Sequence, residues 1–205
     1  DDAIDLLMPR GSSEFVQYIQ DNTSIPVLGH TEGVCHVFVD READLEMAGE
    51  VALDAKVQYP AVCNAVETLL VHADVAADFL PGMVGTYREH DVTLRGCERT
   101  REVVDVAAAT EANWSSEYGD LELDIRVVDS LVDAVDHVNT HGSKHTESVI
   151  TEDADRAGRF MRGVDSASVF HNASTRFADG YRYGLGAEVG ISTGKTHARG
   201  PVGLE

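Results

Sequence analysis

One cysteine of this chain stands where a side chain could do covalent chemistry. Cys63 follows Pro60 in the segment YPAVCNAVETLLVH, where a predicted helix has ended and an apolar run typical of a strand begins. Such connections often carry functional side chains, whereas a cysteine inside a strand is usually inert packing. A thiolate there can attack an electron-poor carbonyl, and its own backbone N–H can help to hold the resulting oxyanion. From its position alone, Cys63 could be either a nucleophile or a structural cysteine.

A polar cluster after the last predicted strand offers anion-binding chemistry. The segment HNASTRFADG at 171–180 contains Ser174, Thr175 and Arg176, and Arg199 follows in HARGP. A guanidinium can bind a carboxylate or a phosphate through two parallel hydrogen bonds. The cluster therefore indicates either an anion site or a hydrogen-bonded loop that carries surface arginines.

The remaining motifs point away from metal, disulfide and dinucleotide chemistry. Cys35, Cys63 and Cys97 are too few and too scattered for a disulfide framework. Neither CxxC, HExxH nor a zinc-finger spacing occurs among the cysteines and histidines. The glycines of GLGAEVG at 184–190 lack the strand–turn–helix setting of a dinucleotide loop. The sequence therefore predicts no metal centre and no phosphate-binding glycine loop.

Two hydrophobic periodicities alternate along the chain and predict the elements that position these residues. Apolar runs predict strands over 25–28, 34–39, 65–71, 121–128, 148–151 and 166–171. Helical spacing and N-cap residues predict helices over 14–21, from 44 to the 58–60 break, and over 73–88, 130–140 and 153–162. The stretch 92–120 has no clear pattern. Strand–helix alternation predicts an α/β fold, with one three-layer domain on a mostly parallel sheet.

The charge composition disfavours two classes of partner. The chain has 16 Lys and Arg against 36 Asp and Glu, which gives a formal net charge of -20. Such a surface repels nucleic-acid phosphates, so we expect no nucleic-acid partner. Charges interrupt every apolar run before the roughly 18 residues of a membrane helix, and the start DDAIDLLM lacks the basic region of a secretory signal. We therefore expect a cytoplasmic protein and no membrane partner.

Several segments together resemble one known family. YPAVCNAVETLLVH is similar to the active-site segment of the gamma-glutamyl phosphate reductases, also called glutamate-5-semialdehyde dehydrogenases, in the aldehyde dehydrogenase superfamily. The same family is resembled, in the same order, by DLLMPRG, IPVLGHTEGVCHVFVD, RVVDSLVDAVDHVN, GSKHTES, HNASTRFADG and GLGAEVGISTGKTHARGPVGLE. These segments cover nearly the whole chain, and only about 92–116 matches poorly.

The resemblance implies a nucleophile and a reaction. The cysteine that matches Cys63 is the family's nucleophile, which would attack the acyl phosphate of gamma-glutamyl phosphate and expel phosphate to give a thioester. NADPH would reduce the thioester, and the product would be glutamate 5-semialdehyde on the route to proline. The same resemblance implies the fold of an aldehyde dehydrogenase catalytic domain.

The resemblance also implies roles for neighbouring residues. The backbone amide of Cys63, aided by Asn64, would form part of an oxyanion hole. Glu117, in SEYGD, occupies the position of a glutamate that holds the ribose of the nicotinamide cofactor. The carboxylate or phosphate of the substrate would be bound by Ser174, Thr175, Arg176 and Arg199.

One departure from the wider superfamily favours the reductive direction. Hydrolytic aldehyde dehydrogenases keep a glutamate in an ELGG segment, which activates water against the thioester. The corresponding stretch here is PVLGH, and Leu28 stands near the place of that glutamate. A reductase must protect its thioester from water, so the loss of this general base fits reduction. His30 is the candidate that could substitute as a base.

The resemblance implies that the chain is mainly a catalytic domain. Residues 1–22 would form the end of a nucleotide-binding domain or a hinge, and residues 23–205 the catalytic domain with the cysteine. The nucleotide-binding domain and the C-terminal dimerisation strand of the family are expected to lie outside these residues. NADPH would then be held mostly elsewhere, the full-length protein would be a homodimer, and the isolated chain would have negligible activity.

Two other classes of function remain open. A domain of this superfamily that lost catalysis would serve for binding or as a scaffold, and its Cys63 would be unreactive. A cysteine-dependent acyl-transfer enzyme or hydrolase would need a histidine base beside Cys63, for which the sequence offers His30 and His72. The position of these side chains relative to Cys63 separates the hypotheses.

The even spread of acidic residues along the chain is typical of proteins from salt-accumulating microbes. Salt shortens the Debye length from about 30 Å at 0.01 M to about 3 Å at 1 M, which screens the repulsion between carboxylates. We expect the protein to fold in molar KCl and to unfold when the salt is removed. Circular dichroism during dialysis measures this, and an unchanged melting temperature in dilute buffer would contradict it.

Overall fold

Seven parallel strands form a single sheet in the structure, a computed structural model described for residues 3–195 and 199–203. The strands are β1 (Cys35–Val39), β2 (Val66–His72), β3 (Thr93–Gly96), β4 (Ala107–Ala108), β5 (Glu122–Val128), β6 (Thr146–Ile150) and β7 (Ser168–His171). Their order across the sheet is β4-β3-β5-β2-β1-β6-β7. Every neighbouring pair is parallel, so the predicted α/β fold on a parallel sheet is confirmed.

Within the described residues, six α-helices accompany the sheet. They are α1 (Ser13–Asp21), α2 (Leu45–Val57), α3 (Ala73–Glu89), α4 (Glu98–Val103), α5 (Leu131–His141) and α6 (Ala154–Gly163). The side chains of Ser12, Asp44, Ser130 and Asp153 cap four of them by accepting a backbone N–H of the first turn. Among the described residues, no helix is both long and apolar enough to cross a membrane.

The helices cover both faces of the sheet. Val37 and Leu69 face one side, where they pack with apolar residues of α2 and α3. Phe38 and Leu70, their neighbours in sequence, face the other side and pack against α5 and α6. Successive side chains of a strand point to opposite faces, so the continuous apolar runs of β1 and β2 fill two cores at once. The predicted three-layer arrangement is confirmed.

The structure differs from the predicted elements at two places. The predicted strand 25–28 is wrong, because Val27 makes only an isolated parallel bridge with Leu7. Pro26 has no N–H to donate to a ladder, which limits this pairing to a few bonds. The glycine-rich end, for which no regular structure was expected, contains an antiparallel pair, β8 (Gly190–Ser192) with β9 (Gly200–Val202).

The two edges of the sheet differ in character. Because all seven strands run the same way, the residues that precede them meet at one edge, called here the amino edge. Gly33, Cys63, Gly119, His145 and Asp165 each lie just before a strand and therefore belong to this edge. Ligands of open α/β sheets usually bind at the opposite, carboxyl edge. A site built around Cys63 would lie at the amino edge and would be an exception to this rule.

The carboxyl edge is closed by a buried ion pair. Asp40 follows β1, is fully buried, and binds the guanidinium of Arg156 on α6 through both carboxylate oxygens. The hydroxyl of Thr151 donates to the same carboxylate over 2.9 Å. Burial by itself raises the pKa of Asp40, but the hydrogen bonds from Arg156 and Thr151 bring it below its ordinary value. This pair ties the end of β1 to the helix that follows β6.

Substitution of Arg156 tests the importance of this pair. Arg156→Met leaves a buried carboxylate without its partner, so we expect a loss of about 3–5 kcal/mol in the free energy of unfolding. Because the pKa of Asp40 is lower in the folded state, the wild-type contribution is present above the unfolded pKa and is lost as the pH falls through the folded value. Denaturant titration in high salt measures both effects. Arg159→Met, at an exposed arginine of the same helix, is the matched control, and equal losses in the two variants would contradict the assignment.

Candidate active site

Cys63 lies in a turn between the end of α2 and the start of β2. Residues 58–65 form no helix or strand, and the side chain of Cys63 is half-buried. The thiol is therefore neither sealed in the apolar core nor part of a strand. Its position fits the expected setting for a reactive side chain, at the amino edge of the sheet.

The backbone of Cys63 is held tightly from the segment that leads into β1. A Cβ added to Gly33 would overlap the backbone of Cys63, so only glycine fits there. Cys35, fully buried in β1, donates from its Sγ to the carbonyl oxygen of Cys63 over 3.3 Å. These contacts fix the turn and leave Cys35 itself as a structural residue.

Two histidines stand beside the thiol. One ligand atom from each of His30, Cys63 and His145 lies within 4.8 Å of the other two, and the imidazole rings pack edge to face with centroids 4.7 Å apart. His72 ends β2 at the opposite edge, roughly 20 Å along the strand, where its ring accepts the N–H of Asp74. Of the two histidines predicted as possible bases, His30 is therefore the one near Cys63. His145 was not predicted from the sequence, because 82 positions separate it from the cysteine.

The surroundings keep the resting thiol protonated. Burial, followed by the negative charges of Glu117 and Glu188, raises the pKa of Cys63 to about 11. The positive charge of Arg176 acts in the opposite direction with a smaller effect. A nucleophilic role therefore needs a group that accepts the thiol proton during the attack, and an imidazole is the usual choice.

Glu117 lies beside the thiol in a loop fixed by a buried ion pair. Its side chain is exposed and close enough to influence the pKa of Cys63. Two residues later, the N–H of Gly119 donates to Glu67 over 3.3 Å, and Glu67 binds Lys56 over 2.7 Å in the core. Burial raises the pKa of Glu67 to about 7 despite the adjacent ammonium. The hydrogen bond from Gly119 to Glu67 therefore connects the Glu117 loop to this buried pair.

Asn64 joins the cysteine turn to the polar cluster. Its side chain is buried and donates from Nδ2 to the carbonyl oxygen of Ala178 over 2.9 Å. Its Oδ1 has no hydrogen-bond partner within the described residues. Asn64 thus has a clear positioning contact, and its predicted part in an oxyanion hole stays a prediction.

The cluster at 174–176 brings a guanidinium toward the cysteine. The hydroxyl of Ser174 accepts the N–H of Arg176 over 3.2 Å, and Thr175 is fully buried with Oγ1 unpartnered in the described part of the chain. Nε of Arg176 donates to Gln58 at the end of α2 over 3.2 Å. No carboxylate lies within ion-pair distance of Arg176 among the described side chains, and partial burial lowers its pKa. An arginine in this state is suited to bind an anion.

Arg199 belongs to a second basic group at the same edge. Its Nη1 lies 3.0 Å from Asp165, which also binds Lys195 over 3.0 Å and Lys144 over 3.5 Å. Hydrogen bonds from Lys195, together with Arg199, lower the pKa of Asp165 to about 2. The group carries three positive charges against one negative charge. Two of the three lysines of the chain gather here, a signal that their scarcity in the sequence could have revealed.

A separate cavity of about 650 Å³ lies between α4 and α5. Trp114, Arg126, His137 and several carboxylates line it, whereas Cys63 does not. Cys97, at the start of α4, is the thiol in its lining. The hydrogen-bond partner of that thiol is Thr100, not a histidine. The chemistry of the chain is therefore centred on the amino edge rather than in this cavity.

Comparison with known proteins gives consistent results. No protein-family model matches the chain. It is 72% identical over its whole length to a gamma-glutamyl phosphate reductase of Natronomonas pharaonis and 70% identical to one of Haloquadratum walsbyi, and it covers 47% of each. The chain is thus similar to about half of a gamma-glutamyl phosphate reductase. It spans less than half the length of these curated relatives.

Solved structures agree with this similarity. The crystal structure of gamma-glutamyl phosphate reductase from Thermotoga maritima matches 99% of the chain with a TM-score of 0.97 and 48% identity, over 49% of its own length. A propionaldehyde dehydrogenase from Clostridium phytofermentans matches 95% of the chain and 53% of its own length with a TM-score of 0.70 at 17% identity. The latter shows the fold alone. The fold is therefore that of aldehyde dehydrogenase structures, as the resemblance implied.

The pKa difference between the cysteines predicts their order of alkylation. Although burial raises the pKa of Cys97, hydrogen bonds from Thr100 lower it below the ordinary value, so its thiolate is more abundant than that of Cys63. With iodoacetamide near pH 7, we expect Cys97 to react before Cys63, and Cys35 last. The Cys63 rate should rise about tenfold per pH unit until about pH 11. Peptide mapping measures this order, and fastest labelling of Cys63 at neutral pH would show that the histidines already hold its proton.

Proposed function

We propose that this chain is the cysteine-bearing catalytic part of a reductase that converts gamma-glutamyl phosphate into glutamate 5-semialdehyde and phosphate, in proline biosynthesis, with NADPH as the reductant. The observation that supports this most directly is the half-buried Cys63 beside His30 and His145, in a chain 72% identical to a relative of that name. Cys63 would be the nucleophile. The proposal also takes the protein to be cytoplasmic and salt-adapted.

The attack would begin with the proton of the thiol. His30 accepts it as the Sγ of Cys63 attacks the acyl carbon, and a carbon–sulfur bond forms. The carbonyl oxygen gains negative charge, which the backbone N–H of Cys63 and the side chain of Asn64 stabilise. The intermediate then collapses, the carbon–oxygen bond to phosphate breaks, and inorganic phosphate leaves with that electron pair. The thioester on Cys63 is the product of this half-reaction.

The basic groups at the amino edge would hold the charges of the substrate. Gamma-glutamyl phosphate carries a carboxylate at one end and a phosphate at the other. Arg176 lacks a carboxylate partner in the described chain and can bind one of these groups bidentately. Arg199, with Lys144 and Lys195, supplies an excess of positive charge for the other. Ser174 and Thr175 would complete the carboxylate or phosphate contacts.

The residues around Cys63 fit a nicotinamide cofactor. The carboxylate of Glu117 is exposed beside the thiol, where it can accept hydrogen bonds from the two ribose hydroxyls. When bound, the reduced nicotinamide supplies a hydride to the thioester carbon. The aldehyde would be released as the carbon–sulfur bond breaks, and the sulfur of Cys63 would take back the proton held by His30. Leu28, near the place of the hydrolytic glutamate, is buried and offers water no base.

The remainder of the active site would lie outside this chain. The relatives are about twice as long as the chain, so a further half is available in them to bind the cofactor. We propose that residues 1–22 end that nucleotide-binding domain or form a hinge, and that residues 23–205 are the catalytic domain. The full-length protein would dimerise through a strand beyond these residues.

A second candidate is a cysteine-dependent acyl-transfer enzyme or hydrolase. The observation that favours it is His30 beside Cys63, because such a pair can both activate the thiol and later activate water against the thioester. This candidate would consume an acyl phosphate without any nicotinamide. The requirement for NADPH therefore separates the two functions.

Replacement of Cys63 tests the proposal in the full-length gene product. Cys63→Ser should reduce NADPH oxidation with gamma-glutamyl phosphate by at least about 10³-fold, because a hydroxyl in this site is a far weaker nucleophile. Cys97→Ser is the matched control and should retain activity. The absorbance of NADPH measures turnover, and the chain 1–205 alone should show none. Unchanged turnover in Cys63→Ser would refute the proposal, and phosphate release without NADPH oxidation would favour the second candidate.

A further inference from the structure

The three groups around Cys63 also form a set of metal ligands that sequence spacing did not reveal. The Sγ of Cys63 and one nitrogen each of His30 and His145 lie within 4.8 Å of one another. In the sequence these residues belong to three separate segments before β1, β2 and β6. Parallel packing brings the segments together at the amino edge, which creates a constellation with no local motif.

Each histidine has one nitrogen available for a ligand. Nδ1 of His30 lies 2.8 Å from the carbonyl oxygen of Ile191. A carbonyl only accepts, so Nδ1 carries the hydrogen and the lone pair is on Nε2. In His145, Nδ1 faces the hydroxyl of Thr146 at 2.9 Å, whereas the fully buried Nε2 has no hydrogen-bond partner among the described residues. An unpartnered, buried ring nitrogen in one of these three residues is a costly feature unless a ligand satisfies it at some stage.

The donor set and its surroundings select the kind of ion. Two imidazoles and a thiolate suit Zn²⁺ and related borderline ions, and three protein ligands leave a fourth, open position for water. Contacts to the second nitrogen of each ring, from a backbone carbonyl and a hydroxyl, are typical outer-shell partners of metal-bound histidines. Glu117 and Glu188 add negative charge around the sulfur, which favours a cation. The fully buried Cys35 is already engaged with the carbonyl of Cys63 and is not needed.

The geometry requires only a small adjustment. Tetrahedral zinc with Zn–S near 2.3 Å and Zn–N near 2.0 Å separates these ligand atoms by about 3.3 to 3.5 Å. The present separations are at most 4.8 Å, so the ligands must approach by at most about 1.5 Å. Cys63 lies in a turn and His30 is half-buried in a loop, so both side chains have room to make this movement.

We propose that His30, Cys63 and His145 form a reversible binding site for a borderline divalent ion such as Zn²⁺, and that the bound ion blocks the thiol. Binding replaces the thiol proton, which passes to solvent, by a sulfur–metal bond, and nothing is oxidised or reduced. The lone pair that would attack a carbonyl is then shared with the metal. The site goes beyond the proposed function, since metal binding needs neither substrate nor nicotinamide.

Cobalt spectroscopy tests the site without reference to activity. The protein in molar KCl should bind one Co²⁺ with a thiolate-to-metal charge-transfer band and the visible bands of a tetrahedral ion, and Zn²⁺ should displace it. His30→Gln and Cys63→Ser should each weaken the binding by at least about 100-fold, since loss of an outer-shell partner alone costs 10- to 100-fold. His90→Gln, at an exposed histidine, and Cys97→Ser are matched controls that should leave the spectrum unchanged. Excess Mg²⁺ occupies surface carboxylates and should not compete.

Protection of the thiol gives a second readout. Stoichiometric Zn²⁺ should slow the alkylation of Cys63 at high pH by at least about tenfold while Cys97 still reacts, and a chelator should restore the rate. Absence of a charge-transfer band, or a Co²⁺ affinity that is unchanged in either ligand variant, would overturn the proposal. Because neither readout depends on turnover, a full-length protein that is inactive but still binds Co²⁺ would refute the proposed function alone. An active protein without the band would refute the metal site alone.

Discussion

The close approach of two backbone segments at the amino edge underlies everything else in this structure. Gly33 touches the backbone of Cys63 where no side chain would fit, and Cys35 donates to the carbonyl oxygen of the same cysteine. These contacts exist because β1 and β2 are parallel neighbours, so the segments that enter them lie side by side. The parallel pairing of β1 with β6 adds His145 from the other side. The site is a direct product of the strand order.

Electrostatics at this edge oppose the average character of the protein. The chain carries a net charge of -20, yet Lys144, Lys195, Arg176 and Arg199 all lie near the amino edge. Immediately around the sulfur, in contrast, burial and then the negative charges of Glu117 and Glu188 disfavour the thiolate. The arrangement separates two tasks, since positive groups can attract anions while the nucleophile stays protonated until a base removes its proton. A permanently ionised thiol would be more exposed to oxidation and alkylation.

Sequence reasoning predicted the fold well and the site in part. The helices that begin after Asp44, Ser130 and Asp153 were predictable because a capping side chain and an apolar period mark each of them. The position of Cys63 in a turn outside the apolar core followed from its place between helix and strand. His145 and the group around Asp165 could not be predicted, because no local pattern encodes which segments a parallel sheet brings together. The strand predicted at 25–28 was wrong because the prediction relied on apolar composition. Pro26 has no N–H to donate and so limits the pairing of this segment.

The central place of β1 has a consequence for how the chain is made. β1 hydrogen-bonds to β2 on one side and to β6 on the other, and its residue His36 bonds Glu147, which follows 111 positions later. During synthesis, one flank of β1 therefore stays unpaired until the residues around Glu147, 111 positions later, have left the ribosome. Such distant pairings slow folding, because a long loop must close before they form. The nascent chain thus exposes an apolar strand edge for longer than a helical bundle of the same size would.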